Sequence, residues 1–443
     1  MKPPIPTFQN IYSMVQHLQF FDLLGQVRKV TGLIVESDGP SARMGDLCLI
    51  EPNHLEHSRS IAAEVVGFQE EKVLLMPLDD LAGIKAGCWV KNTGGCLKVP
   101  VGKSLLGRVL NGFGQPLDNG PPLELETYYP AHATPPSALS RKMIQKPFYT
   151  GVRSIDGLLT MGVGQRVGIF AGSGVGKSTL LGMIARNGDS DVNVVALIGE
   201  RGREVREFIE NDLGPSGMSR SVVVYATSDE PAMVRIKAAM AATAIAEFFR
   251  DQGLNVLLMM DSVTRLATAQ REIGLAAGEP PSTKGYTPSV FALLPKLMER
   301  TGCSSKGAIT AIYTVLVDGD DTNEPVADAV RSILDGHIVL DRKLSNRGHY
   351  PPIDILQSLS RLMNSIADAE HIKQANHFRE LYAAYNDVED LVHIGAYQSG
   401  ANPLTDKSIA NWEQMKQFLV QPNDKKNDFK ETLHQLGALT TDA

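Results

Sequence analysis

The run Ala171-Gly-Ser-Gly-Val-Gly-Lys-Ser178 brings together the residue types that bind phosphate. Gly172, Gly174 and Gly176 let the backbone turn tightly with its N–H groups inward, and Ser173 and Val175 complete the cradle between them. Lys177 adds a mobile positive charge, and Ser178 adds a hydroxyl that can reach a metal ion. The strict pattern has Gly at position 171, where this chain has Ala. Two carboxylates further on extend the chemistry. Asp261 ends an apolar run and is suited to the metal side of bound phosphates, and Glu200 ends another, where it can orient and polarise a water for in-line attack on a terminal phosphate.

Such a constellation works only if strands and helices deliver it to one crevice. Arg166-Val-Gly-Ile-Phe170 predicts a strand into the cradle, and Thr179-Leu-Leu-Gly-Met-Ile-Ala185 a helix out of it. That order places phosphates on free backbone donors at the positive end of a helix dipole. Asn193–Ile198, Ser221–Ala226 and Asn255–Met260 predict further strands. Helices are expected between them, from about Arg203 to Asn211 and from about Ala232 to Arg250. Asn255-Val-Leu-Leu-Met-Met260 is apolar without alternation, as a strand buried on both faces requires. The expectation is a doubly wound α/β P-loop core, whose strands present their C-terminal ends to the ligand.

The chain has 443 residues and a formal net charge of −7 at pH 7, enough for several domains and unlike a protein that grips a phosphate backbone. Nucleic acid is therefore not an expected partner. The four cysteines, Cys48, Cys88, Cys96 and Cys303, form no metal-ligand spacing and read as free thiols of a cytoplasmic protein. No window approaches the roughly 18 apolar residues of a membrane span, so membrane association is expected only through partners.

Before the core, residues 1–24 carry Phe8, Ile11, Tyr12, Val15 and Leu18 at helical spacing. That helix either packs on its own chain or docks a partner. Residues 25–95 change to short β segments, Gln26–Glu36, Asp46–Ile50, Ala62–Gly67, Lys72–Met76 and Cys88–Val90, which predict a small closed barrel. Few aromatic residues interleave with them, so the barrel reads as a collar rather than a nucleic-acid module. Residues 96–366 would hold the nucleotide domain. It opens with a strand within Leu105–Asp118 and a Pro-rich extended segment from Pro121 to Pro147. Residues 367–443 are helical by pattern, with Phe378–Tyr385 and Asn411–Leu419 the clearest stretches.

Several runs resemble a known family. Gly199-Glu-Arg-Gly-Arg-Glu204, Met260-Asp-Ser-Val-Thr-Arg265, Ala269-Gln-Arg-Glu272 and Gly278-Glu-Pro-Pro-Ser-Thr-Lys-Gly-Tyr-Thr-Pro-Ser-Val-Phe291 resemble the export ATPases of the bacterial flagellum and of type III secretion injectisomes. These are relatives of the catalytic subunit of rotary F-type ATP synthases. The likeness runs on through Tyr313-Thr-Val-Leu316, Asp335-Gly-His-Ile-Val-Leu340, Gly348-His-Tyr-Pro351 and Ser358-Leu-Ser-Arg361. It implies a homohexamer that hydrolyses ATP with Mg²⁺ at the cytoplasmic base of a secretion apparatus and helps to load or unfold export substrates. On that likeness Lys177 contacts the β- and γ-phosphates, Ser178 ligates the metal, Asp261 holds it through its outer shell, and Glu200 is the catalytic carboxylate. Arg265 resembles an arginine that touches the γ-phosphate within one subunit. Arg361 resembles an arginine finger from the neighbour, and Tyr350 the aromatic that stacks on adenine.

A carboxylate and a finger on one chain can be closed head to tail by identical copies, so a homo-ring suffices. The partners implied are further copies of the chain, a stator-like regulator at the N-terminal helix, export chaperones and substrates, a central stalk and the export gate. The expected system is flagellar, with a virulence injectisome as the alternative. A Rho-like RNA helicase and a rotary synthase subunit are the more distant rivals. The acidic balance speaks against the first. The lack of an acidic loop of the kind synthase catalytic subunits turn to their rotor speaks against the second.

Overall fold

A computed structural model describes residues 23–51, 59–317 and 324–440. The chain divides into two units, Met1–Leu97 and Lys98–Ala443. The amphipathic stretch expected at residues 1–24 lies almost wholly outside the described residues; Leu24 itself opens the first strand.

In the first unit, β1 (Leu24–Thr31), β2 (Ile34–Asp38), β3 (Asp46–Glu51), β4 (Ile61–Gln69), β5 (Lys72–Pro77) and β6 (Trp89–Cys96) close into a barrel of order β1-β2-β5-β4-β3-β6. Alternation explains the closure: Val27, Val35, Cys48, Ile50, Ala63, Leu75 and Val90 turn inward into one apolar core, leaving the intervening side chains outward. The run expected as one strand from Gln26 to Glu36 is a hairpin. Gly32, at φ 57°, supplies the left-handed turn that pairs Thr31 with Ile34.

The second unit begins with β7 (Lys98–Val101), β8 (Val109–Leu110), β9 (Thr127–Pro130), β10 (Pro147–Phe148) and β11 (Met161–Gly162). Its central strands are β12 (Arg166–Ala171), β13 (Val192–Glu200), β14 (Ser221–Thr227), β15 (Asn255–Asp261), β16 (Gly302–Cys303), β17 (Ala308–Leu316), β18 (Gly336–Leu340) and β19 (Ile353–Ser360). They form a sheet of order β19-β18-β12-β17-β15-β13-β14-β8, with β16 appended to β17. The strands from β18 to β8 run parallel, whereas β19 runs antiparallel on β18. In β13, β15 and β17 nearly every side chain is buried, because helices cover both faces. The helix Ala232–Asp251 packs on β13, β14 and β15. Within Leu105–Asp118 only Val109–Leu110 pairs into the sheet, since the chain first makes a 3₁₀ turn at Lys103–Leu105. The helix expected from Arg203 runs only over Gly202–Glu207 in α form and continues as a π-helix over Phe208–Leu213.

The C-terminal helices Ala369–Asn386, Pro403–Leu419 and Phe429–Thr440 share one core with the sheet. Phe378, Leu381, Met415, Phe418 and Leu436 belong to the same apolar cluster as Leu180 and Ile184 of the helix after the cradle. Asp368 and Asn402 cap two of these helices by accepting from His371 N and from Leu404 N. Among the described residues no helix is long and apolar enough to cross a membrane.

Candidate active site

The cradle follows β12 and opens into the helix Lys177–Asn187. Gly176 stands at its N-cap with φ 107° and Gly174 at φ 75°, conformations that a side chain would strain. The first-turn N–H groups of that helix have no intrahelical acceptor, which makes them donors for an anion. Gly172, Ser173, Gly174, Gly176, Lys177, Ser178 and Thr179 line a cleft of ≈630 Å³, together with Glu200, Glu204 and Arg265. Val175 instead points down and is buried in the core.

Three charges meet at the cleft floor. The Lys177 ammonium is hydrogen-bonded to Asp261 Oδ1 and stands 3.7 Å from Glu200 Oε1. Asp261 is buried at the end of β15, and Glu200 is half-buried at the end of the adjacent strand β13. Burial first, then the nearby Asp261 carboxylate, pushes the Glu200 carboxyl up to about 7, with Lys177 opposing the shift. Among the described residues, the buried Glu200 Oε1 has no hydrogen-bond partner. A carboxylate so placed can hold a water, and its pKa near neutrality suits proton transfer.

Arg265 lies one turn into the helix Val263–Ala276, which Ser262 caps by accepting from Arg265 N at 3.3 Å. Its exposed side chain reaches the cleft past Gly199, where a Cβ would come within 3.0 Å of Arg265 Cβ. Tyr350 is 48% exposed, and its Cε1 lies 3.9 Å from the position that a Cβ on Gly176 would take. An aromatic face is thus open beside the cradle. Its hydroxyl is 3.1 Å from Ser345 Oγ, and its carbonyl accepts from Gln421 N of the C-terminal region at 2.9 Å.

Arg361 is elsewhere. Because β19 is antiparallel, its last residue pairs with Gly336, the first residue of β18, and Arg361 N donates to Asp335 O at 3.1 Å. Asp335 in turn binds Arg166, the first residue of β12, at 3.2 Å. Arg361 therefore sits at the N-terminal edge of the sheet while the cradle leaves its C-terminal edge. Five residue steps along a parallel strand separate these edges by roughly 17 Å. The Arg361 side chain is exposed and, among the described residues, makes no hydrogen bond or ion pair.

The donors present suit a magnesium ion arriving with a nucleotide. Mg²⁺ keeps several waters and takes few protein oxygens besides phosphate. The cleft offers the exposed Ser178, a buried Asp261 carboxylate and the orphaned Glu200 Oε1, and the described residues contain no cluster of three or more metal-ligating side chains.

Other residues around the cradle were not singled out from the sequence. Arg342 donates to Ser173 O at 2.9 Å, and the Thr179 hydroxyl bonds Asp212 in the π-helix. Thr314 donates to Asp261 Oδ1 at 2.8 Å. A hydroxyl inside the apolar run of β17 was the available signal for Thr314; nothing in the spacing marks Arg342 or Asp212. The cleft of ≈800 Å³ between the 341–354 segment and the C-terminal helices is larger, but none of the cradle residues lines it.

Comparison with known proteins agrees over the whole length. The ATP synthase alpha/beta family model for the nucleotide-binding domain matches residues 151–360, and that for the beta-barrel domain matches residues 27–94. The model of the T3SS EscN ATPase C-terminal domain matches residues 367–438. The flagellum-specific ATP synthase of Bacillus subtilis (strain 168) is 54% identical over 98% of this chain and 98% of its own. The type 3 secretion system ATPase of Sinorhizobium fredii is 46% identical over 99% of this chain and 97% of its own. The assembled ATPase EscN of enteropathogenic E. coli, solved in complex with its central stalk EscO, superposes with a TM-score of 0.87 at 47% identity. That match covers 94% of this chain and all of the solved one. With a glycine-rich cradle and two carboxylates gathered around its lysine, the chain belongs to the flagellar and type III secretion ATPases of the ATP synthase alpha/beta family.

Proposed function

We propose that this ATPase hydrolyses Mg²⁺-ATP at the interfaces of a homohexamer and drives flagellar protein export. The placement of Arg361 carries the reading: one chain gathers every other candidate residue at the cradle and holds this arginine at the far edge of its own sheet. A second copy, docked head to tail, brings it to the γ-phosphate.

Within the site, the backbone of Gly172–Gly176 and the Lys177 ammonium bind the β- and γ-phosphates, Lys177 leaving Asp261 as they arrive. Ser178, and Asp261 through the outer shell, would hold a Mg²⁺ ion, which would supply charge neutralisation for phosphoryl transfer. Glu200 orients the attacking water and takes its proton. Arg265 contacts the γ-phosphate from the same chain, and Tyr350 stacks on adenine. EscN has been solved with a central stalk, and this chain is expected to contact a stalk of the same kind through its C-terminal region. The other partners are a stator-like regulator at residues 1–24, export chaperones and substrates, and the export gate at the cytoplasmic face of the membrane.

The test is specific ATPase activity against protein concentration. It should rise as the chain oligomerises in the wild type and stay at the low-concentration level in Arg361→Ala. Equal activity of wild-type monomer and oligomer would sink the intersubunit site. Loss of filament export on deleting the gene tests the flagellar assignment; intact filaments refute it.

A further inference from the structure

We infer that Thr314 is a positioning residue for the metal-side carboxylate, holding Asp261 in place when Lys177 turns to the nucleotide. The inference rests on the metal role proposed for Asp261.

β17 lies between β12, which delivers the cradle, and β15, which delivers Asp261. It reads Ala-Ile-Thr-Ala-Ile-Tyr-Thr-Val-Leu, so two threonines interrupt an apolar strand. The first, Thr310, is accounted for by the fold, since its hydroxyl accepts from Gly164 N at 2.9 Å. Thr314 is fully buried, and its hydroxyl lies 2.8 Å from Asp261 Oδ1 and 3.4 Å from Met260 O. A hydroxyl has one proton to donate, and the shorter, charge-assisted contact to the carboxylate takes it.

Asp261 Oδ1 therefore has two donors, the Thr314 hydroxyl and the Lys177 ammonium, while Oδ2 accepts no hydrogen bond from the described residues. Lys177 is mobile and is drawn to phosphate when a nucleotide binds. Thr314 is fixed to the strand beside the carboxylate. Once Lys177 has left, the Thr314 hydroxyl is the donor that keeps Oδ1 satisfied and the carboxylate plane fixed, with Oδ2 available to the water shell of a divalent cation. Without it, Oδ1 would be a buried acceptor lacking a donor, and the group could rotate away from the metal side.

The test uses Thr314→Val, which keeps the shape and removes the hydroxyl, Thr314→Ser, which restores it, and Asp261→Asn. Binding of a fluorescent ATP analogue is measured for each full-length protein in EDTA and in saturating Mg²⁺, and Mn²⁺ titrations followed by electron paramagnetic resonance are run with ADP. Thermal melts establish that each variant is folded. In EDTA, Thr314→Val should bind the analogue like wild type. The affinity gained on adding Mg²⁺, and the Mn²⁺ affinity with ADP, should fall about tenfold. Thr314→Ser should recover most of both. If Asp261→Asn loses the cation-dependent gain while Thr314→Val keeps it, the positioning role is wrong and the metal role of Asp261 stands. If Asp261→Asn also keeps the gain, the metal role fails and takes the inference with it. An equal loss with and without cation in Thr314→Val marks the hydroxyl as structural only and overturns the inference.

Discussion

The two ends of the central sheet differ in how completely one chain furnishes them. At the C-terminal ends of β12, β13 and β15, Lys177, Glu200 and Asp261 meet within hydrogen-bond or ion-pair distance, and Ser178 and Arg265 line the same cleft. At the N-terminal end, Arg361 is exposed, tied through its backbone N–H to Asp335 O, and separated from the cradle by the length of β12. The Lys177 ammonium is held between two carboxylates of its own chain, whereas the exposed Arg361 guanidinium has no side-chain hydrogen bond or ion pair among the described residues and so has its charge available to something outside the chain. The difference teaches that one chain assembles the cradle and its carboxylates at one edge of the sheet and leaves Arg361 at the other, which is what the proposed intersubunit site requires.

The largest effect expected from breaking that comparison is on turnover. Arg361→Ala should lower the kcat of the oligomer by roughly 10³-fold or more while nucleotide affinity and the melting temperature stay near wild type. A comparable fall in the affinity of a monomeric preparation would place Arg361 in its own site and erase the contrast between the two ends.

Next comes the pH dependence set by Glu200, the group whose carboxyl is pushed up to about 7. Since kcat/KM reports ionisations of the free enzyme, it should fall about tenfold per unit as pH drops below that value, the ionised form being the one that accepts the proton. The same shift has a stability sign. Between 4.5 and about 7 the folded chain holds a proton that the unfolded chain has released, so stability falls as pH rises through this window. Glu200→Gln should therefore melt above wild type at pH 8 although it is inactive. A lower melting point there contradicts the burial argument.

A smaller effect sharpens the binding half. Tyr350→Ala should raise KM for ATP about tenfold with kcat little changed, and Tyr350→Phe, which keeps the ring and loses only the contact to Ser345, should behave like wild type. Equal KM values for the alanine variant and wild type would remove Tyr350 from the adenine pocket.

The meeting of the cradle with Glu200 and Asp261 was legible in the sequence because each ends or directly follows a strand in a βα series, and parallel strands bring their ends together. Ala171–Ser178, Glu200 and Asp261 follow that rule, and the apolar run Asn255–Met260 announces its own burial. The separation of Arg361 was not legible in the same way. It depends on β19 running antiparallel, and nothing in Ile353–Ser360 distinguishes that direction from a parallel one. Tyr350 was reached through resemblance alone, since a tyrosine in a Gly/Pro-rich turn carries no signal of what its ring faces. Thr314 lies in a run that carries the resemblance, yet its role was not legible: threonine is at home in strands, and its hydroxyl gains a role only once the carboxylate beside it is placed. The barrel pattern came through alternation, although one expected strand proved to be a hairpin folded at Gly32.

The most direct test of the intersubunit site mixes two inactive variants. Glu200→Gln supplies a sound Arg361, and Arg361→Ala supplies a sound Glu200, so a ring assembled from equal amounts of both has about one in four interfaces intact. ATPase activity should reappear on mixing, approaching about a quarter of the wild-type rate if interfaces act independently. Mixtures that form rings but remain as inactive as the separate variants would contradict a site shared between subunits.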